Sequence, residues 1–341
     1  VGNVKIGNNN KIAIQSMTTT DTTNVKDTIN QIYELEEIGC EIIRVSAPTM
    51  EAAKALKEIK ENISIPLVAD IHYDYRIALE AAKYVDKLRI NPGNIGNAEK
   101  VKEVVNAAKE YSLPMRIGVN LGSLERDLFE KYGYTAEGMV ESALRHVKIL
   151  EDLDFYDTIV SLKASDVPRM VKAYRLFAEK TKYPLHLGVT EAGSKLPGSV
   201  KSAIGMGILL SEGIGDTIRV SLSEDPKEEI RAAKLILRSL GLRKVGVEIT
   251  SCPTCARTHV DVIKLVEELE NKTEKIKKPI HVAVMGCAVN GPGESLEADI
   301  GIACGKHEAL LYRDGESIGK IPEEDAVERL IEEIESYSNN H

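Results

Sequence analysis

Residues 42–72 read Ile-Ile-Arg-Val-Ser-Ala-Pro-Thr-Met-Glu-Ala-Ala-Lys-Ala-Leu-Lys-Glu-Ile-Lys-Glu-Asn-Ile-Ser-Ile-Pro-Leu-Val-Ala-Asp-Ile-His. A β-branched run at 42–46 gives way to apolar residues at three- and four-residue spacing over Met50–Glu61. Pro66 then precedes a second β-branched run at 67–72. This is a strand, a helix and a strand. The unit recurs along the chain, with candidate strands at 12–17, 42–46, 67–72, 87–91, 115–120, 158–163, 185–191 and 217–222. Helix-like stretches such as 25–39 and 98–111 lie between them. Gly39 and Gly241 read as helix ends, and Pro66, Pro114 and Pro184 each precede a strand. Eight units closed by a helix at 226–240 predict a (β/α)8 TIM barrel over residues 1–240. A doubly wound open sheet is the alternative, but it usually carries fewer strands, and no Gly-x-Gly-x-x-Gly follows the first one.

Beyond Gly241 the pattern changes. A strand at 245–250 leads into Ser-Cys-Pro-Thr-Cys at 251–255, and a helix follows at 259–272. A strand at 280–285 leads into Cys287, followed by a short strand at 300–303, a hairpin-like 308–321 and a final helix at 323–337. This piece is too long to be a barrel decoration, so a smaller α+β domain is expected over 241–341, joined through 238–244. It carries Cys252, Cys255 and Cys287, with Glu294 closing a turn rich in Gly and Pro. Two thiolates from one turn can face a single centre, and Gly and Pro let the backbone close around it. Zinc would take four tetrahedral ligands, whereas an iron–sulfur cluster can use three Cys and leave one iron to a weaker donor. The cluster reading is preferred. Cys304 is a fourth candidate by type, although Glu294 lies nearer to Cys287 and shares its turn. Cys40 reads as a small core residue.

Composition bounds the function. The 341 residues are 43% hydrophobic and 28% charged, as in an ordinary globular protein. The apolar runs fall well short of the about 20 residues that a membrane span needs. Five Cys is an odd number in so long a chain, which argues against a secreted disulfide framework and for a reducing, cytoplasmic compartment. A net charge of −9 disfavours a broad nucleic-acid-binding face, so any basic site must be local. The chain starts at Val1 with no signal-peptide pattern, and a few native residues are expected before it.

In a parallel barrel the chemistry sits where the strands end. Arg44, Arg89, Arg116, Lys163 and Arg219 each fall inside or at the end of a candidate strand, with Asp70, His72, Asn91, Asn120, Glu191 and Ser221 in comparable places. One such residue could be a solvated strand end. Five cations on five strands need another account, because a buried unpaired charge costs several kcal/mol. Asp70 and Glu191 cannot neutralise all five. The arrangement suits an anion of two or more charges, and planar Arg forks suit phosphate oxygens. Glu191, in Gly-Val-Thr-Glu-Ala-Gly, reads as a proton donor or acceptor, or else as a counter-ion to an arginine. His72 and His186 read more simply as hydrogen-bonding strand residues.

With these motifs together, the chain resembles the 4-hydroxy-3-methylbut-2-enyl diphosphate synthase family, the iron–sulfur enzymes of the non-mevalonate (MEP) isoprenoid pathway. The resemblance is carried by Gln-Ser-Met-Thr-Thr-Thr-Asp at 15–21, Ala-Asp-Ile-His at 69–72, Arg-Ile-Asn-Pro-Gly-Asn at 89–94 and Arg-Ile-Gly-Val-Asn at 116–120. It continues in Gly-Val-Thr-Glu-Ala-Gly at 188–193, Ser-Cys-Pro-Thr-Cys at 251–255 and Gly-Cys-Ala-Val-Asn-Gly-Pro-Gly-Glu at 286–294. It implies a [4Fe–4S] cluster on Cys252, Cys255, Cys287 and Glu294. It further implies a cyclic diphosphate held by Arg44, Arg89, Arg116, Lys163 and Arg219, with Asn120 and Ser221 assisting. Asp70, His72, Asn91 and Glu191 would line the carbon skeleton, with Asn290 reaching it from the cluster side. The implied reaction is reductive ring opening and dehydroxylation of 2-C-methyl-D-erythritol 2,4-cyclodiphosphate, with Glu191 supplying a proton. The implied electron donor is ferredoxin or flavodoxin, and the implied assembly is a homodimer in which one subunit's cluster domain caps the other's barrel. Two other readings compete. A zinc-stapled barrel hydrolase or transferase would use the same cationic mouth, and a pure electron-transfer protein would have no use for it.

Overall fold

The computed structural model describes residues 1–341 except 259, 288, 290 and 341. The chain divides into two compact units, Val1–Leu242 and Arg243–His341. In the first, strands β1 (Ala13–Met17), β2 (Ile42–Ser46), β3 (Leu67–Asp70), β4 (Lys87–Ile90), β5 (Met115–Asn120), β6 (Thr158–Lys163), β7 (His186–Leu187) and β8 (Thr217–Ile218) alternate with helices. The helices are α1 (Val25–Glu37), α2 (Met50–Glu61), α3 (Tyr75–Ala81), α4 (Pro92–Ile95), α5 (Ala98–Glu110), α6 (Arg126–Tyr132), α7 (Ala136–Glu151), α8 (Val167–Lys180), α9 (Lys195–Ser211) and α10 (Pro226–Ser239). All strand pairs are parallel, in the order β6-β5-β4-β3-β2-β1-β8-β7. A single bridge between Val160 and Leu185 brings β6 to the start of β7 and completes the eight-stranded barrel.

Local chemistry sets the boundaries. Asn24, Thr49, Asn97, Thr135, Asp166 and Asp225 each cap a helix by accepting a backbone N–H of its first turn. Pro66, Pro114 and Pro184 sit where a strand enters the barrel, and each offers its carbonyl to the neighbouring strand, accepting from Ile43, Leu88 and Val160 at 2.9–3.2 Å. A residue without an N–H costs nothing at such a position. Strands 185–191 and 217–222, expected to be long, keep regular pairing only over two residues each. At Gly188 a Cβ would lie 2.5 Å from the carbonyl oxygen of Arg219, so only glycine fits where the chain leaves β7.

The second unit is a five-stranded mixed sheet with its own apolar core. In chain order it comprises β9 (Val247–Ser251), α11 (Val262–Thr273), β10 (Ile280–Met285), α12 (Gly291–Glu297), β11 (Ile300–Cys304), β12 (Glu308–Arg313), β13 (Glu316–Pro322) and α13 (Ala326–Asn340). β10 lies parallel between β9 and β11, while β12 and β13 form an antiparallel extension. Among the described residues no helix is long and apolar enough to cross a membrane.

Candidate active site

Period-two alternation turns every second strand residue toward the barrel axis. The cross-strand register sets Asp70 beside Arg89 and Arg89 beside Arg116, while Arg44 stands beside Met17. Arg44, Arg89, Arg116 and Lys163 are all buried. Asp70 is their shared carboxylate: Arg89 Nη1 donates to its Oδ1 at 2.8 Å, and Arg44 Nε lies 3.5 Å from Oδ2. Burial pushes the Asp70 carboxyl up, but Arg44, Arg89 and Arg116 outweigh it and hold the group below its ordinary value. Burial also lowers Arg44, to about 10, with Asp70 pulling the other way, so it stays charged at neutral pH.

Arg116 is 1% exposed, and its Nε and Nη1 have no hydrogen-bond partner among the described residues. Arg89 Nε is likewise orphaned, and Lys163 makes no ion pair among the described residues. Burial, then the arginines around it, pushes the Lys163 ammonium well below its usual value. Two glycines make room for this crowd. A Cβ on Gly118 would lie 2.9 Å from Arg89 Nη2, and one on Gly188 would lie 2.7 Å from Lys163 Nζ. Buried donors without acceptors, among like charges, fit an anion that brings its own oxygens.

The neighbouring residues differ in setting. His72 is half-exposed, with Nε2 3.4 Å from Arg89 Nη1 and 3.7 Å from Asp70 Oδ1. Asn91 is buried; Asn120 and Ser221 are half-buried on the segments leaving β5 and β8. Glu191 lies beyond β7 in an exposed turn with φ +51°, a left-handed conformation that costs a non-glycine residue about 1–3 kcal/mol. Among the described residues it makes no ion pair. His186 donates or accepts at Nδ1 with Thr217 Oγ1 at 2.7 Å, and burial drives it well below its ordinary value, so it is a neutral wall residue.

Three participants escaped the sequence reading. Lys87 is fully buried two residues before Arg89, its Nζ 3.4 Å from Gln15 Oε1. The signal was its phase, since residues i and i+2 of a strand face the same way. Met17 offers a thioether to Arg44, at 3.2 Å from Nε and 3.0 Å from Nη2. Glu229, in the first turn of α10, is a third carboxylate of the barrel and pairs with Arg219 at 3.3 Å. It shares a helix face with Ala232, Ala233 and Ile236, so a charge at a core position was the clue.

In the second unit Cys252 directly follows β9, and Cys287 follows β10, its parallel neighbour. Gly286 N donates to Cys252 Sγ at 3.2 Å, which ties the two loops together. Cys255 is exposed, and hydrogen bonds from the backbone and side chain of Arg257 hold its thiol below the ordinary value. Glu294 lies exposed in the first turn of α12; Asn290 lies outside the described residues. Among the described residues no group of three or more His, Cys, Asp or Glu side chains is set to hold a metal ion. A multi-iron cluster takes its ligands from further apart than one ion does, and the donor types here fit one: two loops tied through sulfur and a thiol biased toward thiolate. Cys304 is wholly buried, and desolvation, followed by the Glu323 and Cys252 charges, pushes its thiol up to about 12. Cys40 is a buried core residue, as expected.

A family profile described as GcpE TIM-barrel domain matches residues 1–234, and one described as GcpE protein C-terminal domain matches residues 248–336. A protein of Caldanaerobacter subterraneus subsp. tengcongensis named 4-hydroxy-3-methylbut-2-en-1-yl diphosphate synthase (flavodoxin) is 58% identical, over 98% of this chain and 95% of its own. Proteins of the same name from Geobacillus thermodenitrificans and Clostridium perfringens are each 57% identical, covering 100% and 98% of this chain and 92% and 97% of their own. Among solved structures, phospho-2-dehydro-3-deoxyheptonate aldolase of Thermotoga maritima aligns with TM-score 0.50 at 15% identity, over 71% of this chain and 73% of its own. A dihydropteroate synthase of Stenotrophomonas maltophilia aligns with the same score at 10% identity, over 67% and 93%. These two speak for the barrel alone. With both units matched and more than half the residues shared with relatives across nearly the whole chain, this protein belongs to the GcpE family.

Proposed function

We propose that this protein reductively opens and dehydroxylates 2-C-methyl-D-erythritol 2,4-cyclodiphosphate to (E)-4-hydroxy-3-methylbut-2-enyl diphosphate, in the cytoplasm, for isoprenoid synthesis. The observation that carries the reading is the set of buried cations, with orphan donors on Arg89 and Arg116, inside a barrel of this family. Arg44, Arg89, Arg116, Lys163 and Arg219 bind the diphosphate, assisted by Asn120 and Ser221. Asp70, His72 and Asn91 orient the carbon skeleton against it. Two electrons enter and one oxygen leaves as water, and Glu191 delivers the proton which that oxygen takes up. Cys252, Cys255, Cys287 and Glu294 would hold a [4Fe–4S] cluster, which supplies electrons singly when bound. The relatives' names point to flavodoxin as their donor, and a flavodoxin or ferredoxin is the donor proposed here.

Homodimerisation belongs to the same reading. Leu196, Val200, Ile204 and Ile208 recur every four residues along α9 and are 74%, 49%, 52% and 36% exposed, an apolar ridge that supports self-association.

The test is anaerobic oxidation of a reduced viologen by iron-loaded protein, with and without the cyclodiphosphate. Substrate-dependent bleaching is expected. An intact iron–sulfur spectrum without bleaching would turn attention to other diphosphates, and a colourless zinc protein would end the redox reading. Glu191→Gln should keep cluster and binding while turnover falls about 100-fold or more. Cys287→Ala should lose iron and sulfide together.

A further inference from the structure

Glu229 holds four donors with two oxygens. Oε1 accepts from Arg219 Nη2 at 3.3 Å and from Leu222 N at 3.1 Å. Oε2 accepts from Arg219 Nε at 3.3 Å and from Ser16 Oγ at 3.2 Å. The ladder between β1 and β8 stops at Ile14 and Ile218. Beyond it, this carboxylate ties Ser16 on the β1 side to Arg219 and Leu222 on the segment leaving β8, and it does so from 4% exposure. Its grip takes the Nε/Nη2 edge of Arg219 and leaves Nη1 facing Met17 Sδ at 3.8 Å, the sulfur that Arg44 also meets. A thioether is a weak acceptor that phosphate oxygens can replace.

We propose that Glu229 is a positioning residue of the anion site: acting through Arg219, it strengthens the hold on a diphosphate in spite of its own negative charge. The inference rests on the anion-site reading given above. Its sign separates it from bare electrostatics. Deleting a carboxylate beside five cations makes the potential more positive, so a mere counter-ion should tighten anion binding when neutralised. A positioning residue should weaken it.

The experiment titrates inorganic pyrophosphate, and in parallel the cyclodiphosphate, into wild type, Glu229→Gln, Glu229→Asp, Arg219→Gln and the Glu229→Gln/Arg219→Gln double variant. Circular dichroism checks that each is folded. Glu229→Gln should weaken binding about tenfold or more, and KM should rise by a similar factor with a smaller fall in kcat. Glu229→Asp keeps the charge but withdraws the oxygens, and should weaken binding as well. In the Arg219→Gln background the loss should vanish, Glu229→Gln leaving affinity unchanged or raising it. Tighter binding by Glu229→Gln with Arg219 present, or an equal loss with and without Arg219, overturns the proposal. Nitrogen-15 arginine spectra read the grip without any ligand: the Arg219 Nε–H should exchange slowly in wild type and fast in Glu229→Gln, and unchanged exchange also overturns it. Wild type that binds neither anion would sink the anion-site reading itself, a failure distinct from any difference among variants.

Discussion

Arg116 shows how a single side chain can be placed for a ligand at the cost of the fold. Its buried guanidinium has two nitrogens without partners, and burial followed by Arg44 and Arg89 pushes it well below its ordinary value. Replacing such a cation with an apolar residue of similar volume often stabilises a protein. Arg116→Met should therefore raise the unfolding free energy of the ligand-free protein by about 1–3 kcal/mol while abolishing diphosphate binding. Denaturant midpoints and calorimetry check both halves. Lys87 makes a related case in pH. Its ordinary value is near 10.5, and burial, then Arg116 and Arg44, places it well below that in the fold. Between those two values the unfolded chain binds the extra proton, so stability rises with pH across the window and falls as pH drops through it. Lys87→Met should flatten that rise in pH-dependent denaturation, and not abolish it, because Lys163 behaves alike. Glu191→Gly should relieve the left-handed backbone, raising stability by up to about 1 kcal/mol while turnover collapses. The cations of the mouth were legible in the sequence because each interrupts an apolar strand. Glu229 was not, because an acidic residue in the first turn of a helix is also ordinary N-terminal chemistry.

At the scale of elements, the two interior glycines make opposite predictions. A Cβ at Gly118 meets the flexible end of Arg89, whereas one at Gly188 meets the backbone oxygen of Arg219 at 2.5 Å. Gly118→Ala should fold normally and bind diphosphate more weakly, while Gly188→Ala should lose about 1–3 kcal/mol of stability, read as a lower denaturant midpoint. Strands β2, β5 and β6 were readable nearly to the residue from β-branched runs and their preceding turns. β7 and β8 were over-read by several residues. Their sequences keep the alternation of a strand, but regular pairing stops after Leu187 and Ile218, and alternation alone does not report where a ladder ends.

For the whole molecule, the division into a barrel and a mixed-sheet unit was visible in the change of rhythm after Gly241, because long helices between single strands give way to a hairpin and shorter pieces. The apolar ridge of α9 was not singled out, since an isolated helical stripe reads as core until its exposure is known. On the proposed homodimer through α9, Ile204→Glu should leave the fold intact and give a monomer in sedimentation experiments where wild type sediments as a dimer; a variant that still sediments as a dimer would place the self-association elsewhere. β5 and β6 pair over six registers, whereas β6 meets β7 through one regular bridge at Val160 and Leu185. Backbone bonds from Val160 N to Pro184 O and from Thr190 N to Ala164 O accompany it, and β8 pairs over only two residues on each side. A cylinder so unevenly stitched has a seam, and thermal breathing should begin there. The amides of residues 185–189 should trade hydrogen for deuterium well before those of 115–119. Glu191 lies in the turn just beyond β7, so the staves of this barrel expected to loosen first lead into its proposed proton donor.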